Sequence, residues 1–186
     1  MTHTAFGTDG WRWLHEPAAW SADGDAVEAT TRPDSDFWRT THYGFVRDNG
    51  HVLGRDAEGD FTVTATFSGD YRDLYDQAGV MLRIDEENWI KTGIELVDGV
   101  QQLSAVVTRG VSDWSVVPVP VAPSSVTLAV ERRGDTVTVR YGLDGAAATM
   151  LRLAYFPPAV PVFAGVMCAS PDGKGFTARF RDVGIS

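Results

Sequence analysis

Polar, charged and aromatic side chains recur at alternate positions of the stretch 75–96, which reads YDQAGVMLRIDEENWIKTGIEL. Amide, ammonium and carboxylate groups can hydrogen-bond to the hydroxyl groups of a sugar, and a flat indole can cover the apolar face of a pyranose ring. We therefore predict that this stretch binds a carbohydrate or a related small polar metabolite. The predicted ligand-binding residues of the stretch are Gln77, Arg83, Trp89, Lys91 and Glu95.

Three more candidate ligand-binding residues lie elsewhere in the chain. His42 can bind a sugar hydroxyl or act as a general base, and Tyr43 stands beside it. Trp114 follows polar residues at a turn, as Trp89 does, so both indoles are expected to be half exposed. Two alternatives stay open: His42 can be satisfied by a neighbour on a polar sheet face, and Trp89 can close the rim of the sheet.

Catalysis would make a further demand on the acidic residues. Glycoside hydrolysis normally needs two carboxylates roughly 5 to 9 Å apart. Glu95 is the only strand-borne acid on the predicted binding face, since the acids at 85–87 lie in a turn where solvated charge is the simpler explanation. A hydrolase or lyase, with Glu95 and His42 as acid and base, therefore needs a second acid from another strand. No catalytic residue is assigned.

The composition gives little support to metal or nucleic-acid chemistry. The histidines His3, His15, His42 and His51 show no ligand spacing, and Cys168 is the only cysteine, so we expect neither a metal site nor an internal disulfide. No phosphate-binding glycine motif occurs, and we predict no cofactor. The net charge of -9 disfavours a nucleic-acid partner. Because no segment looks long and apolar enough to enter a membrane, we expect a cytoplasmic protein, of open oligomeric state.

The element that positions these residues is a predicted β-hairpin with one apolar and one polar face. Its apolar face consists of Ala78, Val80, Leu82, Ile84, Ile90, Ile94 and Leu96. Matching the apolar faces requires Ile84 to pair with Ile90. The resulting opposite pairs on the polar face are Arg83 and Lys91, Gly79 and Glu95, and Met81 and Gly93. Because two opposed cations repel, we expect an acid or anionic group nearby, and the glycines leave room for a shallow binding face.

The rest of the chain also indicates strands. Nearly a dozen short segments alternate apolar and polar residues, with turn signals about every 8 to 12 residues. The segment 37–46 is predicted as one strand, and the pattern does not decide which of its sides is buried. Only 146–156 could pass for a helix, and Pro157 cuts it short. We predict an all-β fold in which two antiparallel sheets pack face to face as a jelly-roll sandwich, forming a single domain over residues 1–186.

Several long motifs in the same order carry a resemblance to a known family. They are WRWLHEPAAW near the start, DFWRTTHYGFVRDNGH (36–51), YDQAGVMLRIDEENWIKTGIELVDG (75–99), SAVVTRGVSDWSVVP (104–118) and GVMCASPDGKGFTARF (165–180). Together they resemble the family of unknown function of the YesU-like and yeast regulation-of-enolase type, over nearly the whole chain. The segment AAAT at 146–149 departs from that family's pattern.

The resemblance carries its own expectations about fold and function. It implies a concanavalin A-like sandwich, as in lectins and glucanases, whose concave sheet holds a sugar. It also implies an alternative role, in which the domain contacts a protein partner and regulates a metabolic enzyme. The alternating Glu-x-Asp-x-Glu string of the glucanases is absent from this chain. A non-catalytic carbohydrate-binding domain is therefore the first expectation.

Overall fold

The computed structural model describes residues 10–186, so His3 and the first nine residues of the predicted domain lie outside the described part. Alternating apolar residues and frequent turns produce short strands throughout, and the described residues contain no helix. In chain order the strands are β1 Arg12–Leu14, β2 Ala19–Asp23, β3 Ala26–Thr30, β4 Phe37–Arg39, β5 Val46–Asp48, β6 His51–Ala57, β7 Phe61–Gly69, β8 Gln77–Arg83, β9 Asn88–Val97, β10 Val100–Arg109, β11 Val111–Pro118, β12 Val126–Arg133, β13 Thr136–Leu143, β14 Thr149–Tyr155, β15 Val162–Ala169 and β16 Thr177–Ile185.

The strands form two seven-stranded antiparallel sheets, which confirms the predicted all-β sandwich. The front sheet has the order β1-β6-β15-β8-β9-β10-β11, and the back sheet has the order β14-β13-β12-β7-β16-β3-β2. The segment 146–156, the one stretch that could pass for a helix, contributes edge strand β14. No helix in the described residues combines the length and apolar character that crossing a bilayer requires.

The main core lies between the two sheets. The apolar face predicted for the central hairpin points into it, with Val80, Leu82 and Ile90 all nearly inaccessible to solvent. From the back sheet, alternate residues of β7 such as Val63 and Phe67 fill the same space. Removing these side chains from water stabilises the sandwich and leaves the polar face of β8 and β9 on the outside of the front sheet.

A second hydrophobic cluster covers part of that outer face. Phe37 and Trp38 of β4 pack there against side chains of the front sheet, including Met81 and Trp89. Among residues 10–186, strands β4 and β5 pair only with each other, so we call residues 36–48 the cover hairpin. The prediction of one strand over 37–46 is therefore wrong: the chain reverses at 40–44, where Thr40 and His42 adopt positive φ angles of 63° and 64°.

The hairpin register differs by two residues from the prediction, although each face is correct. The observed opposite pairs include Gln77 and Glu95, Gly79 and Gly93, Met81 and Lys91, and Arg83 and Trp89. The turn is shorter than expected because the Asp85 carboxylate accepts hydrogen bonds from the backbone of Glu87 and the amide of Asn88. The predicted opposition of Arg83 and Lys91 does not occur.

The two paired glycines, Gly79 and Gly93, have a different structural role from the one predicted. A Cβ atom on Gly79 would lie 2.0 Å from the carbonyl oxygen of Thr92, and one on Gly93 would lie 2.0 Å from that of Ala78. Glycine here allows β8 and β9 to approach closely, and it does not leave an open notch for a ligand. The hollow of this face lies beside Lys91 and Glu95, the two neighbours of Gly93 on the same face of β9.

Candidate functional site

A hollow of about 80 Å³ opens where the cover hairpin meets the outer face of the front sheet. Strands β9 and β11 supply its floor, the cover hairpin supplies one wall, and the segments just before β8 and just after β15 complete the rim. The lining residues are Asp36, Trp38, Tyr43, Phe45, Arg47, Tyr75, Lys91, Glu95, Trp114, Pro171 and Asp172.

Lys91 and Asp36 form a buried ion pair at one side of the hollow. Lys91 Nζ lies 3.1 Å from Asp36 Oδ1, which also accepts a hydrogen bond of 2.7 Å from the backbone of Phe37. The expectation that an acid lies near the cations of the hairpin is thus met, although through a register different from the predicted one. The charge of Lys91 is compensated inside the protein.

Glu95 lies on the same face of β9 as Lys91 and is buried, with 7% of its surface exposed. Its Oε2 accepts a hydrogen bond of 2.9 Å from Ser104 Oγ, and that hydroxyl oxygen accepts one of 3.0 Å from Trp114 Nε1. Burial raises the pKa of the Glu95 carboxyl, while Lys91 and the Ser104 hydrogen bond oppose the rise. A buried acid of this kind either holds a proton or gains from a cation brought next to it.

Aromatic rings form the remaining walls of the hollow. Trp38 and Tyr43 come from the cover hairpin, Trp114 from β11, and Tyr75 from the segment before β8. The phenol oxygens of Tyr43 and Tyr75 lie 2.9 Å apart, and this hydrogen bond is the main cause of the raised pKa of Tyr75. The walls therefore join parts of the chain that are distant in sequence.

Four of the predicted site residues meet in this hollow, namely Tyr43, Lys91, Glu95 and Trp114. Trp114 was expected to be half exposed, and the structure shows it as partly buried against the second hydrophobic cluster. Gln77 is buried beside them: it borders a smaller cleft with Lys91 and Glu95, and its Nε2 donates to the backbone oxygen of Tyr75 over 3.1 Å. Gln77 thus supports Tyr75 from behind the hollow.

The other three predicted residues lie elsewhere. Arg83 is bound by two hydrogen bonds of 2.6 and 2.8 Å to the Asp48 carboxylate, so it fastens the cover hairpin. The expectation of a half-exposed Trp89 is wrong, because Phe37 covers the indole and leaves 1% of the residue exposed. His42 lies at the exposed turn of the cover hairpin, contacts the Tyr43 ring edge-on at 4.8 Å and does not line the hollow.

Seven lining residues were missed in the sequence: Asp36, Trp38, Phe45, Arg47, Tyr75, Pro171 and Asp172. Most of them belong to the cover hairpin, for which the alternating sequence pattern had predicted a single strand. The prediction that an acid lies near the hairpin cations was met by Asp36 and Asp48, but no local pattern indicated which acids these would be. Within residues 10–186, no group of three or more acidic, histidine or cysteine side chains is placed to hold a metal ion.

Comparison with known sequences places the chain in a family. The family described as "Protein of unknown function (DUF1349)" matches residues 13–186. Regulation of enolase protein 1 from Saccharomyces cerevisiae is 36% identical over 170 residues, which cover 91% of this chain and 86% of the yeast protein. The resemblance noted from the sequence motifs is confirmed by both matches.

Solved structures share the fold. The crystal structure of a functionally unknown protein from Saccharomyces cerevisiae superposes with a TM-score of 0.91 at 35% identity, covering 95% of this chain and 96% of that one. The carbohydrate binding module CBM66 from Bacillus subtilis has a TM-score of 0.61 at 13% identity, covering 100% of this chain and 98% of the module. At that identity the likeness to the module concerns the fold alone. With nearly its whole length matched, this chain belongs to the DUF1349 family of proteins of unknown function.

Proposed function

We propose that the hollow between the cover hairpin and the front sheet binds a carbohydrate or another small polar metabolite, without catalysing a reaction. The observation that carries the proposal is the meeting of five aromatic rings with the buried side chains of Lys91 and Glu95 in one hollow. Aromatic surface with a few convergent polar groups is typical of sites for small ligands. The shared fold with a carbohydrate binding module agrees with this role.

The proposal concerns one end of a ligand. The hollow measures about 80 Å³, much less than the few hundred Å³ of a site that encloses a whole drug-sized molecule. A single sugar unit or a small head group could enter, while the rest of a longer ligand would stay in solvent. The cytoplasmic location predicted from the sequence also remains a prediction.

Isothermal titration of the protein against a panel of neutral sugars and small polar metabolites tests the proposal. Replacing Trp114 by alanine should weaken binding by roughly tenfold or more, because the ring contributes a wall and its N–H holds Ser104. Trp20→Ala is a matched control, since Trp20 is 44% exposed on β2 of the back sheet. Flat titrations across the whole panel, with positively charged metabolites included, would remove the proposal.

A second candidate function is a regulatory contact with a metabolic enzyme. The name of the yeast relative suggests it, and a row of exposed apolar side chains supports it. Met150, Leu153 and Tyr155 on edge strand β14 are each more than half exposed. Nearby, Val111 on edge strand β11 is 56% exposed, and Arg152 of β14 hydrogen-bonds to Ser115 of β11. Arg152 thus joins the two edges, and their exposed apolar side chains lie at one flank of the sandwich.

Leu153→Lys separates this candidate from small-ligand binding. If the flank contacts an enzyme, the substitution should abolish co-purification with that enzyme while ligand titrations stay unchanged. Trp114→Ala should have the opposite pattern. Loss of both properties in either variant would show that one surface serves both roles and would contradict the separation of flank and hollow.

The third candidate, a hydrolase or lyase, gains one specific observation. Asp36 supplies a second acid beside Glu95, close enough for its charge to contribute to the raised pKa of Glu95. However, Lys91 already pairs with Asp36, and the predicted base His42 lies outside the hollow. A glycan panel checks for turnover, and any genuine activity should disappear in Glu95→Gln.

A further inference from the structure

Four of the five aromatic rings that line the hollow form a closed cycle, and the fifth, Phe45, stacks on Tyr43. The ring centroids of neighbouring members are 5.5 Å apart for Trp38 and Tyr43, 6.4 Å for Tyr43 and Tyr75, 6.2 Å for Tyr75 and Trp114, and 6.3 Å for Trp114 and Trp38. Neighbouring rings are close to perpendicular, with interplanar angles of 75° to 86°. A square of these sides places each centroid about 4 Å from its centre, within the range of about 6 Å for cation–π attraction.

Most polar groups of the four rings are hydrogen-bonded inside the protein, although the Tyr43 and Tyr75 hydroxyls share one bond and use only one of their two hydrogens in it. Trp38 Nε1 donates to the backbone oxygen of Thr41 over 2.9 Å, and Trp114 Nε1 donates to Ser104 Oγ over 3.0 Å. The hydroxyl groups of Tyr43 and Tyr75 bond to each other. These side chains therefore offer a ligand mainly the electron-rich surface of their rings, which attracts cations and apolar groups more than hydroxyl groups.

The charges of the lining favour a cation over an anion. The lining contains three carboxylates, Asp36, Glu95 and Asp172, against the two cations Arg47 and Lys91. Lys91 is compensated by Asp36. The Arg47 guanidinium lies over the Phe45 ring at 4.7 Å and donates to the backbone oxygen of Pro171, so it too is engaged. Within the described part of the chain, the hydrogen bond that the Glu95 carboxylate accepts comes from the hydroxyl of Ser104. This donor is uncharged, so it does not neutralise the carboxylate.

Building on the proposed binding function, we propose that the ligand carries a methylated ammonium group, which sits among Trp38, Tyr43, Tyr75 and Trp114 with the Glu95 carboxylate as its counter-charge. A methylated ammonium has few or no hydrogen-bond donors and a full positive charge, so ring faces and a nearby carboxylate suit it. The volume of about 80 Å³ suits a head group of this size and leaves the remainder of the ligand outside.

The buried state of Glu95 gives the proposal an independent signature. Because burial raises the pKa of this carboxyl above the ordinary value of 4.5, the unliganded protein keeps this proton to a higher pH than an exposed carboxyl does. A cation beside the carboxylate favours the ionised form and lowers that pKa. At a pH between the pKa of the free protein and the lower pKa of the complex, binding should therefore release a proton to the solvent. The calorimetric enthalpy then depends on the ionisation enthalpy of the buffer.

Calorimetric titration with choline tests the proposal, and its neutral isostere 3,3-dimethyl-1-butanol serves as the matched probe. We expect choline to bind at least tenfold more tightly than the isostere. Tyr75→Leu should weaken choline binding roughly tenfold, whereas Tyr155→Leu, which removes a 60% exposed tyrosine of β14, should leave it unchanged. Glu95→Gln should weaken choline binding, leave the isostere unaffected and abolish the buffer dependence.

The outcomes separate this inference from the proposed function. Equal affinity for choline and the isostere, or binding of neutral sugars in preference to choline, would overturn the ammonium inference and leave small-ligand binding standing. Absence of binding by choline, by the isostere and by the whole neutral panel would overturn both. If Tyr75→Leu fails to fold, the choline affinity of Glu95→Gln and the buffer dependence of the unaltered protein still test the ammonium inference.

Discussion

Lys91 and Asp36 join the front sheet to the start of the cover hairpin through an ion pair of 3.1 Å, with side-chain exposures of only 5% and 10%. A second pair, Arg83 with Asp48, joins the same sheet to the end of that hairpin. The two cations lie on paired strands, and the two acids flank the hairpin. These ion pairs hold the cover hairpin in place, and with it the walls of the hollow.

Breaking the first pair should be costly. Asp36→Asn removes the acid that pairs with the buried Lys91 ammonium, so we expect the free energy of unfolding to fall by about 3 to 5 kcal/mol. Urea denaturation measures the loss. Asp56→Asn is the control, because Asp56 forms an exposed pair with Arg12 and its removal should cost less than about 1 kcal/mol. Equal losses in both variants would contradict the structural role of the Lys91–Asp36 pair.

Glu95→Gln should stabilise the protein at neutral pH. In the folded state the raised pKa lets Glu95 keep its proton at pH values above 4.5. In the unfolded state the same carboxyl loses its proton near pH 4.5. The ionisable side chain therefore costs stability as pH rises from 4.5 through the folded pKa, and glutamine avoids that cost while still accepting from Ser104. Thermal unfolding at pH 4 and pH 7 should show a gain that shrinks at the lower pH. A less stable variant at pH 7 would rule out this account of Glu95.

His51 should make the protein sensitive to acid. Its Nε2 accepts a hydrogen bond of 3.0 Å from the backbone of Arg32, and its Nδ1 lies 2.6 Å from the backbone oxygen of His15. Burial lowers the pKa of His51 below 6.5, although the His15 contact opposes this. The unfolded state then binds the proton first, so stability should fall as pH drops below about 6.5.

Two substitutions isolate the contribution of His51. Urea unfolding at pH 5.5 and pH 7.5 should show a smaller stability difference in His51→Gln than in the unaltered protein. His42→Gln should retain the full difference, because His42 is exposed at the turn of the cover hairpin. The account fails if both variants keep the same pH dependence.

Gly79 should not tolerate a side chain. A Cβ atom at this position would lie 2.0 Å from the Thr92 carbonyl oxygen, so Gly79→Ala must push β8 and β9 apart, and we expect a loss of at least about 1 to 3 kcal/mol. At Gly145 the nearest atom to an added Cβ is 3.8 Å away, so Gly145→Ala should change stability by less than about 0.5 kcal/mol. Denaturant titration of both variants compares them, and a neutral Gly79→Ala would refute the close strand approach.

The central hairpin shows how far local patterns reach. Side chains of a strand alternate between two faces, so the positions of Leu82, Ile90 and Lys91 were correct even though the register was not. A shift of two residues preserves the faces, and only the geometry of the turn at Asp85 decides between the two registers. In the observed register Gly79 and Gly93 lie opposite each other.

The hollow shows where local patterns stop. Lys91, Glu95 and Trp114 could be proposed from their polar and aromatic character on strands of the front sheet. Their partners Asp36 and Tyr75 could not, because each comes from an irregular segment whose position depends on packing over the sheet. Trp89 was misjudged for the same reason, since Phe37 of the distant cover hairpin buries it.

The sequence by itself determined that this protein is a sandwich of two antiparallel sheets, which side of the central hairpin enters the core, and which family the chain belongs to. These properties depend on alternation, turn residues and extended motifs, all of which are local or linear. Only the tertiary structure decided which side chains surround the hollow and which are buried. Burial and ion pairing depend on contacts between residues as far apart as Asp36 and Lys91, separated by 55 positions, and a periodic pattern carries no information about such contacts.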